Sequence, residues 1–216
     1  MAWDTEATRT KLLDAGMRQF AANGFTGARM DAIGRDAGVN KERVYRYFGD
    51  KAGLFTAVLT RELAGLLSGI DIGGIDIGGT RITGADSDRE HLGPTEIGAF
   101  AGRLHDRCIE RPELPRLLAW ESLQLDDAAA VPARTTMCAR NISGIRAALG
   151  DLPDDEAAAQ LLFSVIAIVV SWWTLGALRE AIPPSLHDPV RRRAVVVAQC
   201  TAMAQSFTGT EGYPGA

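Results

Sequence analysis

Residues Asn40 to Lys51 read NKERVYRYFGDK, with three cations, two phenols and one carboxylate ahead of the glycine. Each of these groups has a partner on a nucleic-acid duplex. Lys and Arg suit guanine O6 and N7 or a phosphate, Glu accepts from N4 of cytosine, and a Tyr hydroxyl donates to a phosphate oxygen. Val44 and Phe48, four residues apart, are predicted to face inward, which turns Lys41, Glu42, Arg43, Tyr45, Arg46 and Tyr47 elsewhere. Two helical turns span about 10 Å, enough to lay a few side chains along a major groove about 12 Å wide. A solvated charged helix would carry the same residue types, so both readings stand on composition alone.

A second stretch also suggests phosphate chemistry. Gly69 to Ala85 reads GIDIGGIDIGGTRITGA, and its GIDIGGTRITG half resembles the first phosphate motif of ROK-type sugar kinases, in which glycine N–H groups and an Asp organise ATP and Mg²⁺. That resemblance would make Asp76 and Gly78 parts of a nucleotide-binding enzyme. The favoured reading is a short tandem duplication that links helices, because Ile-Asp-Ile hairpins with five-residue periods have little to bury. The remaining chemistry is sparse. The chain has no GxSxG, Walker A or HExxH motif, and His91, His105 and His187 are not at metal-ligand spacing. Cys108, Cys138 and Cys200 are odd in number and far apart, so they predict small core residues rather than disulfides or a metal site. No catalytic residue, metal or cofactor is expected.

The elements that must carry the cationic run follow from periodicity. Thr5 to Asn23 places Leu12, Leu13, Met17, Phe20 and Ala21 on one helical face, with Gly24 as its stop. Two short helices follow, Met30 to Ala37 and Asn40 to Phe48. Gly38 allows the sharp left-handed turn between them, and Asn40 caps the second. Asp50 caps a helix to about Leu67, and Pro94, Glu113, Pro132, Asp154 and Asp188-Pro189 start the later ones. The expectation is an all-α chain of about nine helices. Residues 1–50 would form a three-helix helix-turn-helix domain and residues 51–216 a helical ligand-binding and dimerisation domain, with 68–93 as a glycine-rich linker.

Charge is distributed to match. The net charge is −4, yet residues 1–55 hold nine Lys or Arg against seven Asp or Glu, a balance of +2 that leaves −6 for the remainder. A mildly basic head on an acidic body fits a protein that meets a polyanion at one end. MAWDTEATRTKLLDAG has no apolar h-region, which predicts a cytoplasmic protein.

LLDAGMRQFAANGF followed by MDAIGRDAGVNKERVYRYFGDKAGLF closely resembles the DNA-binding domain of the TetR family of bacterial transcriptional repressors over roughly residues 8–56. The resemblance implies that Lys41, Glu42 and Arg43 lie at bases or nearby backbone, that Tyr45, Arg46, Tyr47 and Lys51 grip phosphates of a double-stranded operator, and that Arg29 and Asn40 belong to the same DNA-binding set. Two departures stand out. Members usually start the second helix with Thr or Ser, where this chain has Ala28-Arg29; Arg29 substitutes by charge but caps weakly. Members often carry Gly-Thr where this chain has Glu42-Arg43, so operator preference does not carry over.

The body yields broader expectations. Ala157 to Leu178 runs 22 residues without a charge, long enough to span a membrane. Acidic residues precede it and Arg residues follow, the reverse of the positive-inside rule for a cytoplasmic head, so a buried helix is expected instead. TetR-like proteins pair their last two long helices across a homodimer, which implies Val165, Val169, Val197, Thr201 and Ala204 as interface residues. ERPELPRLLAWESL, Glu110 to Leu123, resembles the ligand-binding body of such regulators. The implied wall for a small apolar or amphipathic effector is Phe100, Leu104, His105, Trp120, Met137, Phe163, Trp172 and Trp173. For each of these, ordinary core packing is the competing expectation. Arg191-Arg192-Arg193 is expected to be a solvated first turn.

Overall fold

The computed structural model describes residues 5–67, 72, 76–77, 80–81, 93–125, 129–150, 152 and 154–208. Among these residues ten α-helices are present: α1 (Thr5–Gly27), α2 (Met30–Ala37), α3 (Lys41–Phe48), α4 (Lys51–Leu67), α5 (Pro94–Glu110), α6 (Glu113–Gln124), α7 (Val131–Leu149), α8 (Asp155–Thr174), α9 (Gly176–Ala181) and α10 (Pro189–Thr208). The extra helix arises because the long apolar helix breaks at Leu175 (φ −104°, ψ 50°). Two-residue strands β1 (Asp76–Ile77) and β2 (Thr80–Arg81) pair antiparallel within the glycine-rich stretch. Most of that stretch, including Gly78, lies outside the described residues. Ile72, inside its first repeat, is buried in an apolar core.

The chain divides by packing into two compact units, residues 1–65 with 111–134, and residues 66–110 with 135–216. In the first unit, α1 ends in substance at Gly24, whose φ of 69° interrupts the helix. Phe20 and Phe55 are fully buried and meet edge to face at 4.9 Å, with Phe25 against Phe55 at 5.4 Å. Burying one such ring stabilises by roughly 1.5–3 kcal/mol. An ionic cluster ties the same unit together: the buried Glu62 carboxylate is held by Arg61 at 2.9 Å and Arg111 at 2.5 Å, and Arg61 also reaches Asp14 at 2.8 Å. Trp120 of α6 donates to the carbonyl of Ala21 at 3.4 Å, and Gln124 accepts from the Thr26 N–H at 3.0 Å.

In the second unit, α5, α7, α8 and α10 share one core built from Ile97, Phe100, Leu104, Ile145, Leu161, Val165, Val169, Val196 and Cys200. The helix start expected at Asp154 is present, its carboxylate accepting from the Ala157 N–H at 2.9 Å. Helices α5 and α10 approach unusually closely. A Cβ on Gly98 would stand 2.8 Å from the Val197 carbonyl oxygen and would overlap the Thr201 hydroxyl.

This packing corrects three of the five expected dimer residues. Val165, Val169 and Ala204 have no accessible surface in the single chain, so none is left to offer a second copy. Val197 and Thr201 lie against Gly98 of their own chain. Three of the five thus belong to the internal core, while Val197 and Thr201 keep partly exposed side chains. Exposed apolar residues of these helices include Phe163 (70% exposed) on α8, Leu178 (61%) on α9 and Val190 (75%) on α10.

Candidate nucleic-acid interface

The turn between α2 and α3 is built from local constraints. Gly38 ends α2 in the left-handed region (φ 68°, ψ 30°), where an L side chain is disfavoured. Its N–H bonds to the Arg35 carbonyl, and the Val39 N–H bonds to the Gly34 carbonyl at 2.8 Å. The next helix begins at once, because the Asn40 side chain accepts from the Arg43 N–H at 3.0 Å. At the start of α2 the expectation of a weak cap holds: Arg29 makes no side-chain capping bond.

Of the two α3 residues expected to face inward, Val44 is buried and Phe48 is half-buried. Val44 is fully buried, whereas Lys41, Glu42, Tyr45 and Arg46 are exposed and Arg43 and Tyr47 are half-buried. Arg29 and Asn40 are exposed as well. Cations and rings alternate at i and i+4: the Lys41 ammonium lies 5.9 Å from the Tyr45 ring centroid, and the Arg43 guanidinium 5.9 Å from that of Tyr47. Such stacking holds long side chains extended without neutralising them. Arg43, Arg46 and Tyr47, together with Thr5 of α1, line an open cleft of about 520 Å³, and the Tyr47 hydroxyl donates to the Thr5 carbonyl at 3.4 Å. Thr5 was missed in the sequence because it lies 42 residues from Tyr47.

Lys51 has a different post. Its ammonium donates to the carbonyls of Thr26 at 3.2 Å and Ala28 at 3.3 Å and sits 4.8 Å from the Phe25 ring centroid. Two of the three donors on a lysine ammonium are thus committed to holding the end of α1. The third donor has no described hydrogen bond.

The family model described as "Bacterial regulatory proteins, tetR family" matches residues 12–58, and "Tetracyclin repressor-like, C-terminal domain" matches residues 96–201. The chain is 30% identical over 172 residues to the HTH-type transcriptional repressor SCO4008 of Streptomyces coelicolor, covering 77% of this chain and 79% of that one. It is 29% identical over 143 residues to the HTH-type transcriptional repressor NicS of Pseudomonas putida, covering 66% and 59%. The solved structure of a transcriptional regulator from Streptomyces coelicolor, SCO4942, matches with a TM-score of 0.67 at 29% identity, over 91% of this chain and 97% of that one. The chain belongs to the TetR family of bacterial transcriptional regulators.

As a TetR-family member it is a DNA-binding regulator of transcription, and the nucleotide-enzyme reading of GIDIGGT has no support among its relatives. The residues expected to line an effector pocket do not form one group in this TetR-family chain. Phe100, Leu104 and His105 are buried together with Trp173 packed against the same core, and Met137 and Trp172 are half-buried. Trp120 belongs to the first unit, where it packs on α1, and Phe163 is largely exposed; neither lines that core. The Arg191-Arg192-Arg193 turn is also not uniformly solvated. Arg191 is exposed, Arg193 donates through Nε to both oxygens of Asp106 at 2.8 Å, and the Nε of Arg192 is buried.

Burial sets the protonation of the second unit's interior. His105 is held below its ordinary 6.5, first by desolvation, with Asp106 opposing and Arg192 and Arg193 adding to the fall. Desolvation pushes the Cys108 thiol up to about 12 and the Cys200 thiol to about 11, so both are neutral near pH 7.

Proposed function

We propose that this regulator is a cytoplasmic, effector-relieved repressor that binds a palindromic operator as a homodimer. The observation that carries this reading is the pairing of an exposed cationic face on α3 with exposed apolar surface on α8, α9 and α10. A single eight-residue recognition helix reads too few base pairs for a specific site, and two related by a dyad read half-sites about one helical turn apart. Phe163, Ala167 and Thr174 of α8, with Val190, Ala194 and Ala198 of α10, supply apolar stripes at helical spacing that a second copy would cover. Only 33% of the most apolar window of α8 is buried within one chain, as suits a helix shared between two copies. The repressor sense follows SCO4008 and NicS, both named as repressors. A small effector that bound one conformation better would shift the protein away from the operator-binding form.

Sedimentation velocity on the wild type and Phe163→Glu tests the assembly. The wild type should run as a dimer and the variant as a folded monomer that binds operator at least about tenfold more weakly. A variant that stays dimeric would place the interface elsewhere.

A further inference from the structure

Among the described residues of the second unit, three side chains hold a buried polar atom without a partner: Asn141 on α7, His105 on α5 and Arg192 on α10. His105 on α5 is 1% exposed, and its Nδ1 has no hydrogen-bond partner among the described residues. The nearest carboxylate oxygen, Oδ1 of Asp106, is 3.7 Å away, too far for a hydrogen bond, and Asp106 is already engaged through both oxygens by Arg193. On α10, Arg192 has a buried Nε without a partner, and the one described hydrogen bond of its guanidinium is a long one, 3.4 Å from Nη2 to the Ile168 carbonyl. Among the described residues neither Arg192 nor Arg179 forms an ion pair, yet both guanidiniums approach the same ring, that of Trp172, at 5.2 and 5.8 Å. Cys200 beside Arg192 offers no counter-charge, because burial keeps its thiol neutral.

A buried guanidinium N–H without an acceptor is costly even on a half-buried arginine, and a buried imidazole nitrogen without a partner adds to that cost. Among the described residues the Arg192 Nε–H has no acceptor, and the unpartnered His105 nitrogen donates or accepts according to its tautomer. The surroundings are aromatic: Trp173 lies 5.6 Å from His105, and His187 meets the edge of Trp172 at 5.5 Å. A fork of N–H donors on a guanidinium recognises a planar or trigonal anion, and indole faces accept an apolar or aromatic body.

We propose that the effector is a small amphipathic organic anion, a carboxylate or sulfonate, whose charged group pairs with Arg192 and His105 while its apolar body lies against Trp172 and Trp173. This rests on the reading of the chain as effector-relieved. The site narrows the effector from any small apolar compound to one with a single anionic head.

The probes that test it are 8-anilino-1-naphthalenesulfonate and its uncharged relative N-phenyl-1-naphthylamine, titrated into the full-length protein with tryptophan excitation and dye emission. The sulfonate should saturate one site per chain. Arg192→Gln should weaken it by at least about tenfold, and Arg192→Lys, which keeps the charge without the fork, by less. The uncharged dye should bind the wild type more weakly than the sulfonate and should not respond to either change. Equal sulfonate affinity in wild type and Arg192→Gln, equal affinity of the two dyes for the wild type, or absence of sulfonate binding would each overturn the assignment. So would sedimentation of Arg192→Gln as a monomer where the wild type is a dimer, since the guanidinium would then serve the contact between copies. The same samples are assayed on operator DNA. Protein that binds DNA and no anion defeats only this assignment, whereas protein that binds no DNA defeats the regulator reading itself.

Discussion

The α2–α3 turn and the α5–α10 contact both depend on glycine, for different reasons. Gly38 is needed because its own backbone is left-handed, a condition set by neighbours within a few residues. Gly98 has an ordinary helical backbone and is needed because Val197 and Thr201, about a hundred residues later, occupy the space of a side chain. The first requirement is local and the second is not. The same contrast separates the two functional surfaces: the recognition face follows from one run of residues, while the anion cluster and the apolar stripes require the packing of three helices.

Substitutions can break or sharpen that contrast. Phe20→Ala removes a ring at the centre of the first unit's aromatic cluster and should destabilise the chain by about 3–5 kcal/mol in urea unfolding, the largest effect expected. Gly98→Val should cost about 1–3 kcal/mol through overpacking against α10. Operator contacts on α3 should survive it wherever the chain remains folded. Loss no greater than for an exposed helix substitution would show that α10 can retreat. Asn40→Ala removes the cap of α3 and should cost about 1 kcal/mol, measurable as a small fall in thermal midpoint with weaker operator binding.

The smallest effect is one of pH. Because the folded pKa of His105 lies below its ordinary 6.5, the unfolded chain binds a proton that the folded chain refuses in the interval between the two values. Stability from this group is therefore fully present above about pH 6.5 and is lost as pH falls below it. His105→Asn should flatten the melting temperature between pH 7 and pH 5 relative to the wild type. An unchanged slope would show that other groups carry the acid sensitivity.

How much was legible in the sequence follows the same division. The all-α class, the caps at Asn40, Asp50 and Asp154, the Gly38 turn and the exposed face of α3 are all set by residues within about one helical turn, and each is present. Lys51 was assigned to DNA from its place in the motif, and two of its donors turn inward because carbonyls at the end of α1 lie within reach. Val165 and Val169 read as dimer residues because α8 is apolar all round: periodicity does not say which side of such a helix meets its own chain and which meets another. Val165 and Val169 face the core, and Phe163 faces out. Trp120 reads as a pocket residue beside an apolar run, yet it spends its N–H on Ala21, 99 positions away. Arg192 looked like one of three equivalent solvated charges; only the fold distinguishes the arginine paired to Asp106 from the one left without an anion.

The central claim is that two copies of α3 read one palindrome. Its most direct test is selection of bound sequences from random duplex DNA by the full-length protein, followed by footprinting of the selected site. The account predicts an inverted repeat with half-site centres about 10 base pairs apart, or a multiple of that spacing, protected on both halves together. A single unrepeated element, protected with a stoichiometry of one chain per duplex, would contradict it.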